Sequence, residues 1–316
     1  MAETPRLRLG TRGSPLALAQ ANEVRTRLAA AHPELSEPAA VEIVVITTTG
    51  DRVQDRTLAE IGGKGLFTKE IEEALLAGRI DAAVHSMKDV PTRLPEGLEI
   101  STILPREDPR DAIISAGGQD LAGLPTGSVV GTASLRRQAQ VLLARPDLKV
   151  VPLRGNVETR LRKLAEGQVD ATLLAMAGLK RLGKAGEVSA VLAPEDMLPA
   201  VAQGAIGLEI RADDGAVRDL LAALNDRDSA IRVAAERACL EVLDGSCRTP
   251  IAAFAELEAG GATLRLRALV ALPDGSQAHR AERRGAVAEG AALGRDAGAE
   301  LRAAAGPAFF TALGAG

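Results

Sequence analysis

Residues 129–174, VVGTASLRRQAQVLLARPDLKVVPLRGNVETRLRKLAEGQVDATLL, alternate short β-branched runs with helical spacing. Val129–Thr132, Lys149–Leu153 and Ala171–Leu174 read as strands, with helices over Leu135–Ala144 and Thr159–Glu166 between them. That order predicts parallel strands joined by crossover helices, hence an α/β sheet. The pattern also precedes this stretch. Leu7–Gly10 reads as a strand, and Ser14-Pro15 opens a helix to about Ala30, with Ser as cap and Pro at the first turn. Val41–Thr48 is a second strand, Phe67–Ala77 a helix ending at Gly78, and Ile80–Val84 a third strand.

Two such lobes are expected, because Leu104–Pro109 (LPREDP) has the proline and charge of a linker. Gly207–Arg211 is a late strand able to pair back into the first lobe. The tail changes character. Pro250–Leu257, Thr263–Leu272 and Gln277–Arg284 read as strands separated by Gly-Gly and PDGS turns, and Leu264 to Arg267 alternate with period two, as a half-exposed antiparallel sheet requires. A helix from about Ala288 to Ala305 covers its other face. The expectation is therefore an α/β protein of two lobes with mixed, mostly parallel sheets, plus a small α+β C-terminal domain with a three-stranded antiparallel sheet. The boundaries are 1–104 with 205–224 for domain 1, 105–204 for domain 2 and 225–316 for domain 3.

Composition removes several classes. With 316 residues, 46% hydrophobic and 25% charged, the chain can bury a core without disulfide or metal. The net charge of −4 favours neither nucleic acid nor an anionic membrane. Four Phe, no Trp and no Tyr make a poor stacking platform for single strands. No apolar run approaches the roughly 20 residues of a membrane span. The opening MAETPRLRLG lacks the apolar stretch of a secretory signal, so a cytoplasmic location is expected. Cys239 and Cys247 fit reduced thiols, and three scattered histidines give no metal-ligand spacing. No metal is expected.

Charge is uneven. Between Gly131 and Lys163 stand eight cations, Arg136, Arg137, Arg145, Lys149, Arg154, Arg160, Arg162 and Lys163, against Asp147 and Glu158. Arg136 and Arg137 follow a strand and Ser134 at a helix start. Arg154 follows the next strand, Arg160 sits near the start of the helix after it, and Arg12 repeats the arrangement after the first strand. Loops at strand carboxyl ends bind ligands in open α/β sheets. Cations at helix N-termini are unfavourable unless an anion offsets them, and Arg rather than Lys suits carboxylate or phosphate. A solvated helix face accounts for Arg145 and Lys149 but poorly for the strand-end set.

Gly62-Gly63-Lys64-Gly65 is a glycine loop with one lysine but not a Walker loop, since Gly65 stands where Ser or Thr is required. His85-Ser86-Met87-Lys88-Asp89 follows a strand and places acid, base and hydroxyl together; the plainer reading is a turn capped by Asp89. Cys247, beside Arg248 in a loop, has the surroundings of a nucleophilic thiolate, whereas Cys239 lies mid-helix among apolar neighbours.

GTRGSPLALAQ, GGKGLFTKEIE, AVHSMKDVPT, EDPRDA, GTASLRRQAQ, LRGNVETRLRKL, AGLKRLG, LPAVAQGAIGLE and the cysteine loop occur in this order. Together they resemble the porphobilinogen deaminase (hydroxymethylbilane synthase) family over nearly the whole chain. The resemblance implies two periplasmic-binding-protein-like lobes facing a cleft, with the third domain carrying the cysteine loop. It implies head-to-tail condensation of four porphobilinogen molecules with loss of ammonia, on a dipyrromethane primer held as a thioether by Cys247, then release of hydroxymethylbilane by water. Each ring bears an acetate and a propionate, so primer and four added rings carry twelve carboxylates. By resemblance Arg12, Ser14, Lys64, Ser86, Lys88, Thr132, Ser134, Arg136, Arg137, Arg154, Arg160, Arg181 and Gln203 hold primer and substrate. Asp89 matches the catalytic aspartate, which stabilises the cationic azafulvene formed as ammonia leaves. Glu60, Ala133 and Ala202 depart from residues common in the family, namely lysine, serine and glycine. A monomer is expected.

Two rivals stand beside this reading. A non-catalytic two-lobe protein for an anionic ligand shares the architecture but gives the loop cysteine no purpose. A phosphate-handling enzyme lacks both a Walker sequence and an acidic metal pair.

Overall fold

The computed structural model describes residues 6–37, 39–52, 65–243 and 249–313, which form two compact units. The first unit holds, of the described residues, 6–37, 39–52, 65–107 and 205–230. Its sheet is built from β1 (Leu7–Thr11), β2 (Val41–Val45), β3 (Ala82–Ser86), β4 (Leu98–Ile103) and β10 (Ile206–Arg211), in the order β2-β1-β3-β10-β4. β1 pairs in parallel with β2 and β3, whereas β10 runs antiparallel between β3 and β4. The late strand does return to the first lobe. One face of the sheet packs Leu7, Leu9, Val84, Leu208 and Ile210 against α1 (Pro15–Ala31), through Ala21, Val24 and Leu28. Ser14 caps α1 as expected, its hydroxyl accepting from Ala17 N–H at 3.3 Å.

The other face meets Ile71, Ala74 and Leu75 of α3 (Lys69–Leu76), which follows the short α2 (Thr49–Arg52). The helix starts two residues later than its apolar spacing suggests, because Leu66–Thr68 form a turn bonded back to Gly65. Beneath α3 lies a buried polar cluster. His85 Nε2 sits 2.8 Å from Glu209 Oε2, and Glu72 faces both. Burial pushes the Glu72 carboxyl above the usual range; Glu209 and Glu73 reinforce this, while Thr68 and His85 oppose it.

The second unit holds, of the described residues, 108–204, 231–243 and 249–313. Its first sheet, in the order β7-β6-β8-β5-β9, joins β5 (Asp111–Ser115), β6 (Val129–Gly131), β7 (Lys149–Val151), β8 (Ala171–Ala175) and β9 (Ala190–Val191). β6 is parallel to β7 and β8, and β5 is antiparallel to β8 and β9. Helices α4 (Leu135–Ala144), α5 (Val157–Ala165) and α6 (Met176–Arg181) complete this part. α5 begins at Val157 rather than Thr159, because Asn156 caps it by accepting from Thr159 N–H at 2.8 Å.

The antiparallel sheet of β11 (Ile251–Glu258), β12 (Thr263–Ala271) and β13 (Ala278–Ala286) has the expected order. Ala252, Phe254, Leu269 and Ala271 pack on Ala139 of α4 and on Leu198, so this sheet backs the helix that carries Arg136 and Arg137. Two further helices, α7 (Gly215–Ala222) and α8 (Arg227–Val242), precede it, and α9 (Gly290–Ala312) packs on α8 at Gly294, where a Cβ would stand 2.1 Å from Ala235 O. Among the described residues no helix is long and apolar enough to cross a membrane.

The cluster under α3 sets a pH dependence. A carboxyl whose pKa is raised on folding favours the native state below its unfolded pKa, near 4.3, and that advantage is lost as pH rises through the folded value. Glu72→Gln is expected to raise the melting temperature at pH 8 by a few degrees, the gain shrinking to nothing near pH 4. Melting curves of both proteins from pH 4 to 8 check this; a constant offset contradicts it.

Candidate active site

In the first unit the candidate residues gather at the carboxyl ends of β1 and β3. Arg12 follows β1, and its Nε and Nη2 donate to the Asp51 carboxylate while the guanidinium lies 4.1 Å from the Phe67 ring centroid. Burial raises the Asp51 pKa, but hydrogen bonds from Arg12 and Thr48 outweigh it and hold the carboxyl below the ordinary range. Ser86 ends β3, its hydroxyl bonded to the side-chain amide of Gln20 at 2.8 Å. Met87, Lys88 and Asp89 then form one 3₁₀ turn. Met87 is buried and its N–H donates to Ala205 O at 3.0 Å. Its thioether fills the space above Gly207, where a Cβ would stand 2.0 Å from Sδ. The turn is thereby pinned from below, and the half-buried Asp89 carboxylate has no hydrogen-bond partner among the described residues.

In the second unit β6, β7 and their helices assemble the cations. Thr132 Oγ1 accepts from Ser134 N–H at 3.1 Å, and Ser134 caps α4 by accepting from Arg137 N–H. Arg136 and Arg137 on the first turn are both buried and share one carboxylate. Arg136 Nη1 donates to Asp111 Oδ2 at 2.7 Å; Arg137 Nε and Nη2 donate to Asp111 Oδ1 at 3.0 and 2.7 Å. Asp111 is fully buried, yet the two guanidinium groups hold its carboxyl far below the usual range against the desolvation that would raise it. Gln203 completes this cluster, its Nε2 donating to Asp111 Oδ1 and to Pro109 O.

Arg154 stands beyond β7. The Lys163 ammonium donates to its carbonyl at 3.1 Å, and Gly155 follows at φ 120°, a conformation open only to glycine, with a Cβ there meeting Thr159 at 2.6 Å. Arg160 Nε donates to Gly155 O, and burial together with the positive charges of Arg137 and Arg154 pushes its guanidinium down to about 10. Among the described residues Arg154 Nη1 and Arg136 Nε are buried donors without a hydrogen-bond partner. Arg181 Nη2 donates to Gly204 O at 3.1 Å. Buried N–H groups left open among crowded cations mark a place built for an anionic ligand. A group bearing several carboxylates fits this donor set, since guanidinium forks take carboxylates in pairs.

The expected Lys64 and Cys247, and the departure at Glu60, lie outside the described residues. Cys239 is a buried thiol, pushed up to about 12 by desolvation and by Glu236, which suits an inert packing role. Ala133 is exposed, and Ala202 is buried at φ 58° with its N–H donating to Glu236, a left-handed position that a glycine would take without strain. The sequence reading missed Asp111, Asp51 and Glu209. A charged residue opening or interrupting an apolar strand, as in DAIIS and GLEIR, was the available signal.

The second unit is thus an α/β lobe whose buried arginines keep open donors suited to carboxylate or phosphate groups, as in proteins that bind anionic ligands. Two family models match, one described as the porphobilinogen deaminase dipyromethane cofactor binding domain over residues 7–219, the other as the porphobilinogen deaminase C-terminal domain over 230–303. The porphobilinogen deaminase of Paracoccus denitrificans is 60% identical over 304 residues, 96% of each chain. The chloroplastic porphobilinogen deaminase of Oryza sativa is 58% identical over 317 residues, 99% of this chain and 87% of that one. The periplasmic VFT2 domain of Bordetella pertussis BvgS is similar in structure at a TM-score of 0.42 and 18% identity, over 71% of this chain and 88% of that one. The chain belongs to the porphobilinogen deaminase family, and its larger matched region is the dipyrromethane cofactor-binding domain.

The seat of Met87 on Gly207 gives a direct test of how the Asp89 turn is held. Gly207→Val is expected to cost about 1–3 kcal/mol and to lower kcat at least tenfold with a smaller change in KM. Melting curves and steady-state kinetics read both, and wild-type kcat in the folded variant contradicts the assignment.

Proposed function

We propose that this chain joins four porphobilinogen molecules head to tail, with loss of ammonia from each, and releases the linear product, hydroxymethylbilane, by hydrolysis. The observation that carries the reading is the open arginine cluster, in which Arg160 is pushed down to about 10 by burial and by Arg137 and Arg154. A cluster in this state gains from every carboxylate that enters, and porphobilinogen brings two.

Arg136, Arg137, Arg154 and Arg160, with the hydroxyls of Thr132 and Ser134, hold the cofactor carboxylates, and Cys247 holds the cofactor covalently as a thioether. When bound, the dipyrromethane supplies the ring position to which new rings are added. Arg12, Ser14, Lys64, Ser86, Arg181 and Gln203 orient the incoming porphobilinogen, and Lys88 contributes a further cation. Asp89 accepts hydrogen bonds from pyrrole N–H groups and offsets the positive charge that develops on porphobilinogen as ammonia leaves. A counter-charge at contact distance in a partly dry site is worth a few kcal/mol, hence about two or more powers of ten in rate. The low aromatic content fits a site that recognises charge rather than ring faces. The protein acts as a cytoplasmic monomer.

Asp89→Asn is expected to cut kcat at least a hundredfold while the melting curve stays within a few degrees of wild type. In parallel, intact mass spectrometry should find wild-type protein heavier than its sequence by a two-pyrrole adduct, and Cys247→Ala at its sequence mass. Wild type without the adduct, or Asp89→Asn with near-normal turnover, refutes the assignment of that residue.

A further inference from the structure

We infer that Asp111 is the positioning residue of the carboxylate site: it sets the direction of two guanidinium groups and leaves the pair with one unit of positive charge to be met by ligand. The inference rests on the proposed role of the arginines and adds a residue to which neither motif nor resemblance assigned a task.

The geometry is over-determined. Asp111 opens β5 and is 0% exposed. Its Oδ2 accepts from Arg136 Nη1, and its Oδ1 accepts from Arg137 Nε and Nη2 and from Gln203 Nε2. Four donors from three side chains therefore fix one carboxylate. Backbone carbonyls hold both guanidinium groups as well. Arg136 Nη1 also reaches Leu198 O at 2.8 Å, and Arg137 Nη1 reaches Leu173 O at 2.9 Å. Neither guanidinium can swing without breaking a bond to Asp111 and one to a backbone carbonyl.

The charge does not close. Among the described residues two buried cations face one anion, and Arg136 Nε is without an acceptor. A pair of this kind left unmatched is expensive in a protein interior, where a buried ion must be paired. A carboxylate arriving at Arg136 closes both the charge and the hydrogen bond. Had a second acidic residue been placed here, the cluster would be neutral and closed to ligand; had Asp111 been absent, two long side chains would have to be ordered by the ligand itself. One buried carboxylate for two arginines is the ratio that both aims the site and leaves it attractive to anions.

A residue needed only for folding and a residue that aims the arginines differ in what their variants lose. Asp111→Glu keeps the charge and moves it by one methylene; Asp111→Asn keeps the shape and removes the charge. Each is purified as the full chain beside Arg154→Ala and read three ways: fraction carrying the two-pyrrole adduct by intact mass, melting temperature, and KM against kcat. The expected result for Asp111→Glu is a melting temperature within a few degrees of wild type with KM raised at least fivefold. For Asp111→Asn it is an adduct-bearing fraction below half that of wild type. Wild-type loading and KM in a folded Asp111 variant overturn the positioning role, and failure of both variants to fold overturns it equally, leaving Asp111 to stability alone. If Arg154→Ala is impaired while the Asp111 variants are not, only this inference falls. If Arg154→Ala is also unchanged in loading and KM, the carboxylate reading of the arginines falls with it.

Discussion

Positive charge held slightly in excess of its internal counter-charge is the constraint on which the second unit depends. Guanidinium groups remain protonated under all ordinary conditions, so they cannot escape burial by losing a proton. The fold answers by spending one carboxylate, Asp111, on Arg136 and Arg137, by giving Arg160 the backbone carbonyl of Gly155 instead of an anion, and by capping α4 with Ser134 so that its first turn stays in register. The helix that carries the pair is packed too: Ala139, one turn on from Arg136, lies against the antiparallel sheet, which makes that sheet a support for the charged end of α4.

The first unit treats charge in the opposite way. There Arg12 is matched by Asp51, Arg8 by Asp81, and Arg211 by Asp214, each with a carboxylate of its own unit. At the end of β3 the Asp89 carboxylate stays open among the described residues, on a turn held by Met87, Gly207 and the β3–β10 ladder.

Much of this was legible in the residues. The strand–helix alternation over 129–174, the Ser14-Pro15 start and the period-two tail gave elements whose centres lie where expected, and the strand-end arginines stood out by position. The misreadings have local causes. β7 stops at Val151 and α5 starts at Val157 because Asn156, not an apolar repeat, sets that helix start. β4 and β5, flanked by proline and charge in the linker stretch, gave no pattern separable from a loop. The acidic partners were hidden for a deeper reason. Glu209 alternates with Ile206, Leu208 and Ile210, which in a sheet with one wet face would point it to water; here helices cover both faces, so it is buried against His85. No single-strand pattern reports whether the far side of a sheet is covered, and a carboxylate such as Asp111 is recognised only once its two arginines arrive from another element.

The position of β10 between β3 and β4 carries a consequence for how the chain is made. The strand that completes the first sheet lies about a hundred residues after β4, and a closure of that length costs roughly 4 kcal/mol of chain entropy. During synthesis the first lobe must therefore wait, its β3 and β4 edges unpaired, until the ribosome has delivered Arg211, by which time every strand of the second lobe has already emerged. The lobe encoded later is the one free to fold first.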